Sequence, residues 1–343
     1  MKILVLTNSP AENVKLEDAA KQRGHELRFI NPSKAMQYIS QHERGLDRLY
    51  LANDDSEPER IFTKDVDVVI PRLGGGVEYG SALLRFIVEN LGAYSPVNGW
   101  GLHLASNKAW CLQKLSSENI HVPKTIITCS PKNIAWIVEQ LKLPVIVKTW
   151  SGSCGRTVGI CDSKQSANSL FAFAVHAGLK ILLEEYIETG GTDFRVWVCG
   201  DKVSVAMKRT SNDKKDFRAN ISQGGKGERV QLSEEDENLC IRAAHSIGLK
   251  VAGVDLMKDA NGTSYIIEIN SNPGVQIIDI TGVNPFIDVI KLCEDNYKKH
   301  KSTTSGTSAH SKEAMLLNDD FFYATAQLMN QNKLLKESLK LKF

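Results

Sequence analysis

The segment Val251–Asn270, VAGVDLMKDANGTSYIIEIN, decides the fold. Asn261-Gly262 stands between two apolar runs. Asn-Gly in that setting signals a two-residue hairpin, because both central residues of a type I′ turn take positive φ. With Asn261 and Gly262 in those places, Ala260 faces Thr263, and counting outward brings Asp255 opposite Glu268. Carboxylates facing each other across a ladder have Cβ atoms ~5 Å apart and repel. Asn270 lies two residues beyond Glu268 and so shares its face. Val254, Leu256, Ile267 and Ile269 alternate with these positions and are aliphatic, so one face of the hairpin is expected to be buried. The other face then gathers three oxygen side chains. An isolated Asp/Glu pair is more often simply solvated. Asn270 and the turn Ser271-Asn272-Pro273-Gly274 shift the balance toward a cation site. Oxygen ligands without His or Cys favour magnesium over zinc or copper, and a magnesium held this way usually bridges phosphates.

Working outward, the chain alternates strand and helix. Lys2–Thr7, Glu26–Ile30 and Val66–Ile70 read as strands, with helices over Val14–Arg23 and roughly Tyr79–Asn90. That pattern predicts a doubly wound α/β layer over residues 1–97. Gly101–Ser117 is helical in spacing, Leu143–Thr149 is an apolar strand, and Gly152–Gly159 is a glycine-rich loop. Ser166–Ala177 reads as a helix and Lys180–Tyr186 as a strand. Phe194–Cys199 and Lys202–Arg209 form a hairpin about Gly200-Asp201. Ser233–Ile247 reads as a helix that opens near a capping box. Ser302–Ser311 has a linker's composition, and Asn318–Phe343 has helical spacing.

The chain has 343 residues, enough for two or three modules. Lys+Arg number 42 against 40 Asp+Glu, which gives no basic field for nucleic acid. No apolar run approaches the ~20 residues that cross a bilayer. The apolar start Met1–Leu6 stops at Thr7-Asn8-Ser9-Pro10 and suits a buried strand better than a signal peptide. Seven cysteines without a C-x-x-C argue for reduced thiols and a cytoplasmic setting.

Taken together, these residues resemble the ATP-grasp superfamily, which includes the D-alanine–D-alanine ligases, and within it the RimK-type glutamate ligases. The resemblance rests on Glu268-Ile269-Asn270 with the Ser271–Gly274 turn, Ser106-Asn107-Lys108, and Pro144–Lys148. Asp201–Arg209, and Phe217-Arg218-Ala219-Asn220 with Gly224-Gly225, complete it. It spans residues 1 to about 297. It implies an ATP-grasp α/β fold with an N-terminal pre-ATP-grasp domain (1–97) and two α+β subdomains (98–187 and 188–297) clamping the nucleotide. A linker and helical tail (298–343) lie beyond it.

The resemblance also assigns roles. Lys108 and Lys148 would hold ATP phosphates, with Lys208 a further cation. Gly152, Ser153 and Gly155 would wrap them, although a lone glycine loop is weak evidence. Glu185, Tyr186 and Ile187 would form the hinge for adenine, and Asp193 would bind ribose. Arg218 and Asn220 would act at the γ-phosphate as the catalytic pair. Asp255, Glu268 and Asn270 would bind magnesium, or manganese in its place. Arg72, Arg195 and Arg209 are cations available for substrate carboxylates, with Ser271, Asn272 and Gly274 lining the acceptor side. Each has a plainer reading: Lys148 ends an apolar strand, where lysines also snorkel to solvent, and each arginine is equally a surface residue.

The implied reaction is ATP-dependent amide formation through an acyl phosphate, joining L-glutamate to the carboxylate of a protein or peptide. A small-molecule acceptor, or a nucleotide-binding protein without catalysis, are the alternatives. A homo-oligomer, dimer or tetramer, is expected, without nucleic-acid or membrane partners. After Gly274 the order Val275-Gln276-Ile277-Ile278-Asp279 departs from the RimK pattern, which leaves the acceptor open.

Overall fold

The computed structural model describes residues 1–39, 48–54, 56–74, 76–130, 132–152, 157–212, 221 and 224–304. Two units divide the chain, Met1–Asp295 and Asn296–Phe343.

In the first unit, β1 (Lys2–Leu6), α1 (Val14–Gln22) and β2 (Glu26–Ile30) open the chain. A short meander follows, made of β3 (Ala35–Tyr38), β4 (Arg48–Leu51) and β5 (Glu59–Ile61). Then come β6 (Val68–Pro71) and α2 (Val77–Leu91). The strands β2-β1-β6 form a parallel sheet. Its centre is apolar: Ile3, Val5, Leu6, Val68 and Val69 are all buried. This is the expected α/β layer. The meander lies where no strands were expected, because short strands carry little periodicity.

Next come α3 (Gly99–Ser106) and α4 (Lys108–Ser117), over the stretch read as helical from Gly101 to Ser117. Asn107 breaks it: its backbone is extended, and its Oδ1 accepts from the Trp110 N–H at 3.2 Å. Asparagine side chains compete with the helix ladder and favour such caps. Gly101 lets α3 approach closely, since a Cβ there would stand 2.7 Å from the Ile247 carbonyl oxygen. An antiparallel sheet follows, built from β7 (Thr125–Thr128), β8 (Val145–Thr149), β9 (Val158–Cys161) and β10 (Ile181–Glu185) in the order β7-β10-β8-β9. One face, with Val145, Val147, Ile181 and Leu183, packs on α5 (Ile134–Leu141) and α6 (Lys164–His176). The opposite face meets α4 through Leu182, Ala109 and Leu112.

The third sheet contains β11 (Thr192–Cys199), β12 (Lys202–Thr210), β13 (Lys226–Val230), β14 (Val251–Lys258) and β15 (Ser264–Asn270) in the order β13-β12-β11-β14-β15. Helix α7 (Glu234–Ser246) covers it, with Ser233 Oγ accepting from the Asp236 N–H at 3.2 Å as the capping pattern foretold. Helices α8 (Gln276–Thr281) and α9 (Phe286–Thr304) close the described chain. Helix α9 thus runs into the stretch read as linker. The tail helix over 318–343 lies outside the described residues. Among the described residues no helix is long and apolar enough to cross a membrane. The described cysteines are all free thiols.

The decisive hairpin arrives at the foreseen pairing by another route. Asp255 does face Glu268. The turn, however, is not type I′, since Gly262 has φ +82° while Asn261 is not in the positive-φ region. Lys258 pairs with Ser264, and the Asp259 N–H donates to the Thr263 carbonyl at 3.0 Å, so the loop is longer than two residues. Asp259 Oδ1 secures it, accepting from the N–H groups of Asn261 and Thr263 at 2.9 and 2.8 Å. A register shift between Asp255 and Leu256 then restores the pairing. The bulge moves burial from Ile267, which is half-buried, to Ile266, which is 0% exposed.

Candidate active site

Antiparallel register sets Arg195, Asp255 and Glu268 in one row across β11, β14 and β15. Cross-strand neighbours share a face, and so do residues two apart on a strand. Asp193 and its partner Arg209 therefore lie on that face as well.

These side chains form a charged network. Arg195 grips Asp255 with two N–H donors, through Nε to Oδ1 and through Nη2 to Oδ2 at 3.0 Å. Arg209 Nη2 lies 3.2 Å from Asp255 Oδ1. The same guanidinium grips Asp193, with Nε to Oδ1 at 2.5 Å and Nη2 to Oδ2 at 2.8 Å. Asp255 is buried, which pushes its carboxyl up, but Arg195 and Arg209 more than offset this and hold it below the usual carboxylate range. Burial pushes the Asp193 carboxyl up against the pull of Arg209.

Glu268 is held from another element. Lys108, the first residue of α4, donates from Nζ to Glu268 Oε1 at 2.9 Å and to the Gly152 carbonyl oxygen at 2.8 Å. The Lys108 backbone N–H donates to the Trp150 carbonyl at 2.8 Å, which ties the helix start to the end of β8. One ammonium thus joins the glycine loop to β15.

Lys148 is 9% exposed and does not snorkel to solvent. Its Nζ donates to Glu184 Oε2 across β8 and β10, and Glu184 is 3% exposed. Sequence reasoning missed Glu184. Only the pairing of β10 with β8 brings it to Lys148, and no local pattern announces that pairing.

Several expected roles are corrected by the geometry. Asp193 is buried with both oxygens on Arg209, so no free carboxylate is offered to a ribose. Arg195 and Arg209 are committed to Asp255 and Asp193 and offer no open fork to a substrate carboxylate. Arg72 is 7% exposed; its Nε donates to Asn13 Oδ1 at 2.8 Å, its Nη1 to the Pro273 carbonyl at 3.1 Å, and it lies 5.1 Å from the Phe286 ring centroid. Burial draws the Arg72 guanidinium down to about 10, with Glu12 pulling the other way. It braces the turn after β15 from the first α/β layer. Lys208 points to the opposite face from Arg209 and lies 3.8 Å from Glu228. The Glu185 N–H donates to the Lys124 carbonyl at 3.0 Å, and its side chain accepts from the Lys124 N–H at 2.8 Å. Tyr186 and Ile187 follow as irregular backbone. Ser153, Gly155, Arg218 and Asn220 lie outside the described residues.

Asn270 ends β15 opposite Gly253, and the turn Ser271-Asn272-Pro273-Gly274 follows it. Pro273 folds back over Gly253, where a Cβ would stand 2.7 Å from the Pro273 Cβ. Asn270 Nδ2 and Asn272 Oδ1 are buried with no hydrogen-bond partner among the described residues. Buried polar atoms are rarely left so without a purpose. Among the described residues no three His, Cys, Asp or Glu gather into a metal cluster. A divalent site among the described residues would draw on mixed oxygen donors. Asp255, Glu268 and Asn270 are such a set: a carboxylate offers about four lone-pair sites, so Asp255 keeps capacity beyond its arginines. The residues fit a hard cation such as magnesium.

Known proteins resemble this chain in sequence and in fold. Residues 105–293 match the family described as the RimK-like ATP-grasp domain, and residues 1–99 match the RimK PreATP-grasp domain. A probable alpha-L-glutamate ligase of Pasteurella multocida is 30% identical over 311 residues, covering 89% of this chain and 97% of that protein. One from Histophilus somni is 31% identical over 306 residues, covering 87% and 100%. The fold matches ATP-grasp ligase PsnB, solved with a minimal precursor, at a TM-score of 0.66 and 16% identity, covering 86% of this chain and 98% of that one. It also matches the D-alanine–D-alanine ligase from Coxiella burnetii at a TM-score of 0.63 and 15% identity, covering 91% and 98%.

Proposed function

The chain belongs to the RimK-like ATP-grasp family and is an ATP-grasp ligase; on that premise we propose that it adds L-glutamate to a carboxylate on a protein or peptide, using ATP. The observation that carries this reading is the row Asp255–Glu268 with Asn270 beside it, faced by the ammonium of Lys108. The curated relatives are named glutamate ligases, which favours glutamate as the amine. ATP-grasp neighbours of the same fold were solved with a minimal precursor, Mg and ADP, and with a precursor peptide and AMPPNP, which favours a peptide acceptor and these cofactors.

An acceptor carboxylate oxygen attacks the γ-phosphorus of ATP; the new P–O bond forms as the bond to ADP breaks. The resulting acyl phosphate is then attacked by the amine of glutamate. A C–N bond forms, phosphate leaves, and the ammonium gives up its proton. Asp255, Glu268 and Asn270 would hold magnesium, which would supply positive charge to the phosphates. Lys108 exchanges Glu268 and the Gly152 carbonyl for phosphate oxygens. Lys148, held on the sheet face by Glu184, supplies a second fixed cation. A buried, pre-oriented charge costs little reorganisation when negative charge develops. Arg195 and Arg209 keep the Asp255 carboxylate ionised and aimed. Arg72 holds the Pro273 turn so that Asn270 and Asn272 keep their places. Arg218 and Asn220 remain the candidates for the γ-phosphate, and Ser271, Asn272 and Gly274 for the acceptor side.

The test is ADP release with L-glutamate against a panel of peptides and small carboxylic acids, followed by mass spectrometry of the products. The reading expects glutamate-dependent ADP release and a polypeptide heavier by one or more glutamate residues. Release that ignores glutamate, or a product formed only on small acids, would sink it.

A further inference from the structure

Among the described residues the small sheet β3–β4–β5 buries much of one face and leaves the other partly exposed. Ala35 pairs with Leu51, and Leu49 pairs with Ile61. All four are buried. The other face follows from the same register: Met36 opposite Tyr50, Tyr38 opposite Arg48, and Tyr50 opposite Arg60. Phe62 continues this row in extended backbone, with φ −102° and ψ 159°. Met36, Tyr38 and Phe62 are 40%, 44% and 43% exposed.

Cations overlie the rings. Arg48 lies 5.8 Å from the Tyr38 centroid, Arg60 lies 4.8 Å from that of Phe62, and Lys64 lies 5.6 Å from it. Arg60 and Lys64 make no ion pair among the described residues. None of the five strand positions on this face is acidic. A guanidinium resting on a ring is already ordered, so less freedom is lost when its N–H edge meets a carboxylate. A second copy of the chain packed here about a two-fold axis would set these cations against one another.

The complement of this face is an extended anionic chain with apolar stems. A run of glutamates has that chemistry: each side chain brings a carboxylate for an arginine fork and two methylenes for a ring. The face is also linked to the candidate active site. Tyr79 Oη, in the first turn of α2, donates to the Ala35 carbonyl at 2.6 Å. The loop just before α2 brings Gly74 beside Asn272, whose Nδ2 would be 3.9 Å from a Cβ placed there.

We propose that the face formed by Tyr38, Arg48, Tyr50, Arg60, Phe62 and Lys64 holds the acidic, glutamate-bearing stretch of the polypeptide that the enzyme extends. This rests on glutamate addition as the activity. Retention on this face keeps an already extended chain near the site and favours further additions over release.

The experiment titrates fluorescent hexaglutamate onto the full-length protein without ATP, at low and at high salt, and repeats it with Arg48→Ser/Arg60→Ser/Lys64→Ser and with the single variant Lys64→Glu. Binding is expected to weaken about tenfold in the triple variant and to weaken with salt, as the loss of three charge contacts, one exposed and two half-buried, implies. Lys64→Glu, at an exposed site outside the strands, is expected to weaken it in the same direction. In the ligase assay, addition of the first glutamate stays at the parent rate in both variants while the products shorten. Hexaglutamate binding unchanged in both variants overturns the proposal, as does a thymidine oligonucleotide of equal charge binding this face more tightly, or self-association lost in the variants. Because binding is read without turnover, a failure of glutamate addition in the parent protein would be seen separately.

Discussion

Lys108 Nζ lies 2.9 Å from Glu268 Oε1, joining residues 160 positions apart in the chain. An ammonium here neutralises a carboxylate that the proposed divalent cation would also need. Glu268→Gln keeps the shape and removes the charge. Glu268 is half-buried on β15, so the fold should survive, with the melting temperature close to the parent's. ADP release should fall at least about 100-fold, the scale on which a lost electrostatic contact to a reacting phosphate acts. Turnover at the parent rate would show that this carboxylate holds no metal.

Lys148 and Glu184 separate stability from function. Lys148→Met leaves Glu184, 3% exposed, as an uncompensated buried charge, and should cost about 3–5 kcal/mol in urea unfolding. The double variant Lys148→Met/Glu184→Leu replaces the pair with apolar groups and should recover most of that loss. Its ADP release should stay low, because the cation proposed to hold phosphate is gone. Recovery of activity along with stability would reduce Lys148 to a structural strut.

How far the sequence foretold this site depends on how local each signal was. The pairing of Asp255 with Glu268 was legible, but by compensation: the turn is longer than Asn261-Gly262 suggested, and the bulge at Ile267 restores the register. Asn270 followed from strand periodicity. The arginines were misread because their partners come from strand order. Arg195 meets Asp255 only because β11 lies beside β14. Lys148 meets Glu184 only because β10 lies beside β8. Arg72 looked like a strand-end cation, yet the Pro273 turn, 201 residues later, covers it. Composition and spacing carry no record of such distant neighbours.

Gly253 is the point where the turn after Asn270 folds back on β14. Gly253→Ala places a methyl 2.7 Å from the Pro273 Cβ, backbone-bound atoms that cannot easily give way. Overpacking of this kind costs about 1–3 kcal/mol. Because Gly253 pairs with Asn270, the displaced turn should also raise the magnesium concentration needed for half-maximal ADP release. An alanine variant with unchanged stability and magnesium demand would mean that the turn moves aside freely.

Glu294, on α9, ties the C-terminal end of the first unit to its N-terminal layer. Arg23 donates Nε and Nη2 to its two oxygens at 2.8 and 2.6 Å, and His25 Nε2 lies 2.7 Å from Oε1. The hydrogen bonds from Arg23, outweighing the cost of burial and aided by His25, hold the Glu294 carboxyl down at about 2 from its ordinary 4.5. A carboxyl with a depressed folded-state pKa contributes its stability fully above the unfolded value, and loses it as the pH falls through the folded value. The contribution should therefore be present above about pH 4.5 and fade toward pH 2. Glu294→Gln keeps one acceptor oxygen but has no proton to take up. Melting temperatures followed through that window should fall less steeply with acid in the variant than in the parent. Parallel curves across the whole range would mean that Arg23 and His25 do not stabilise the ionised form.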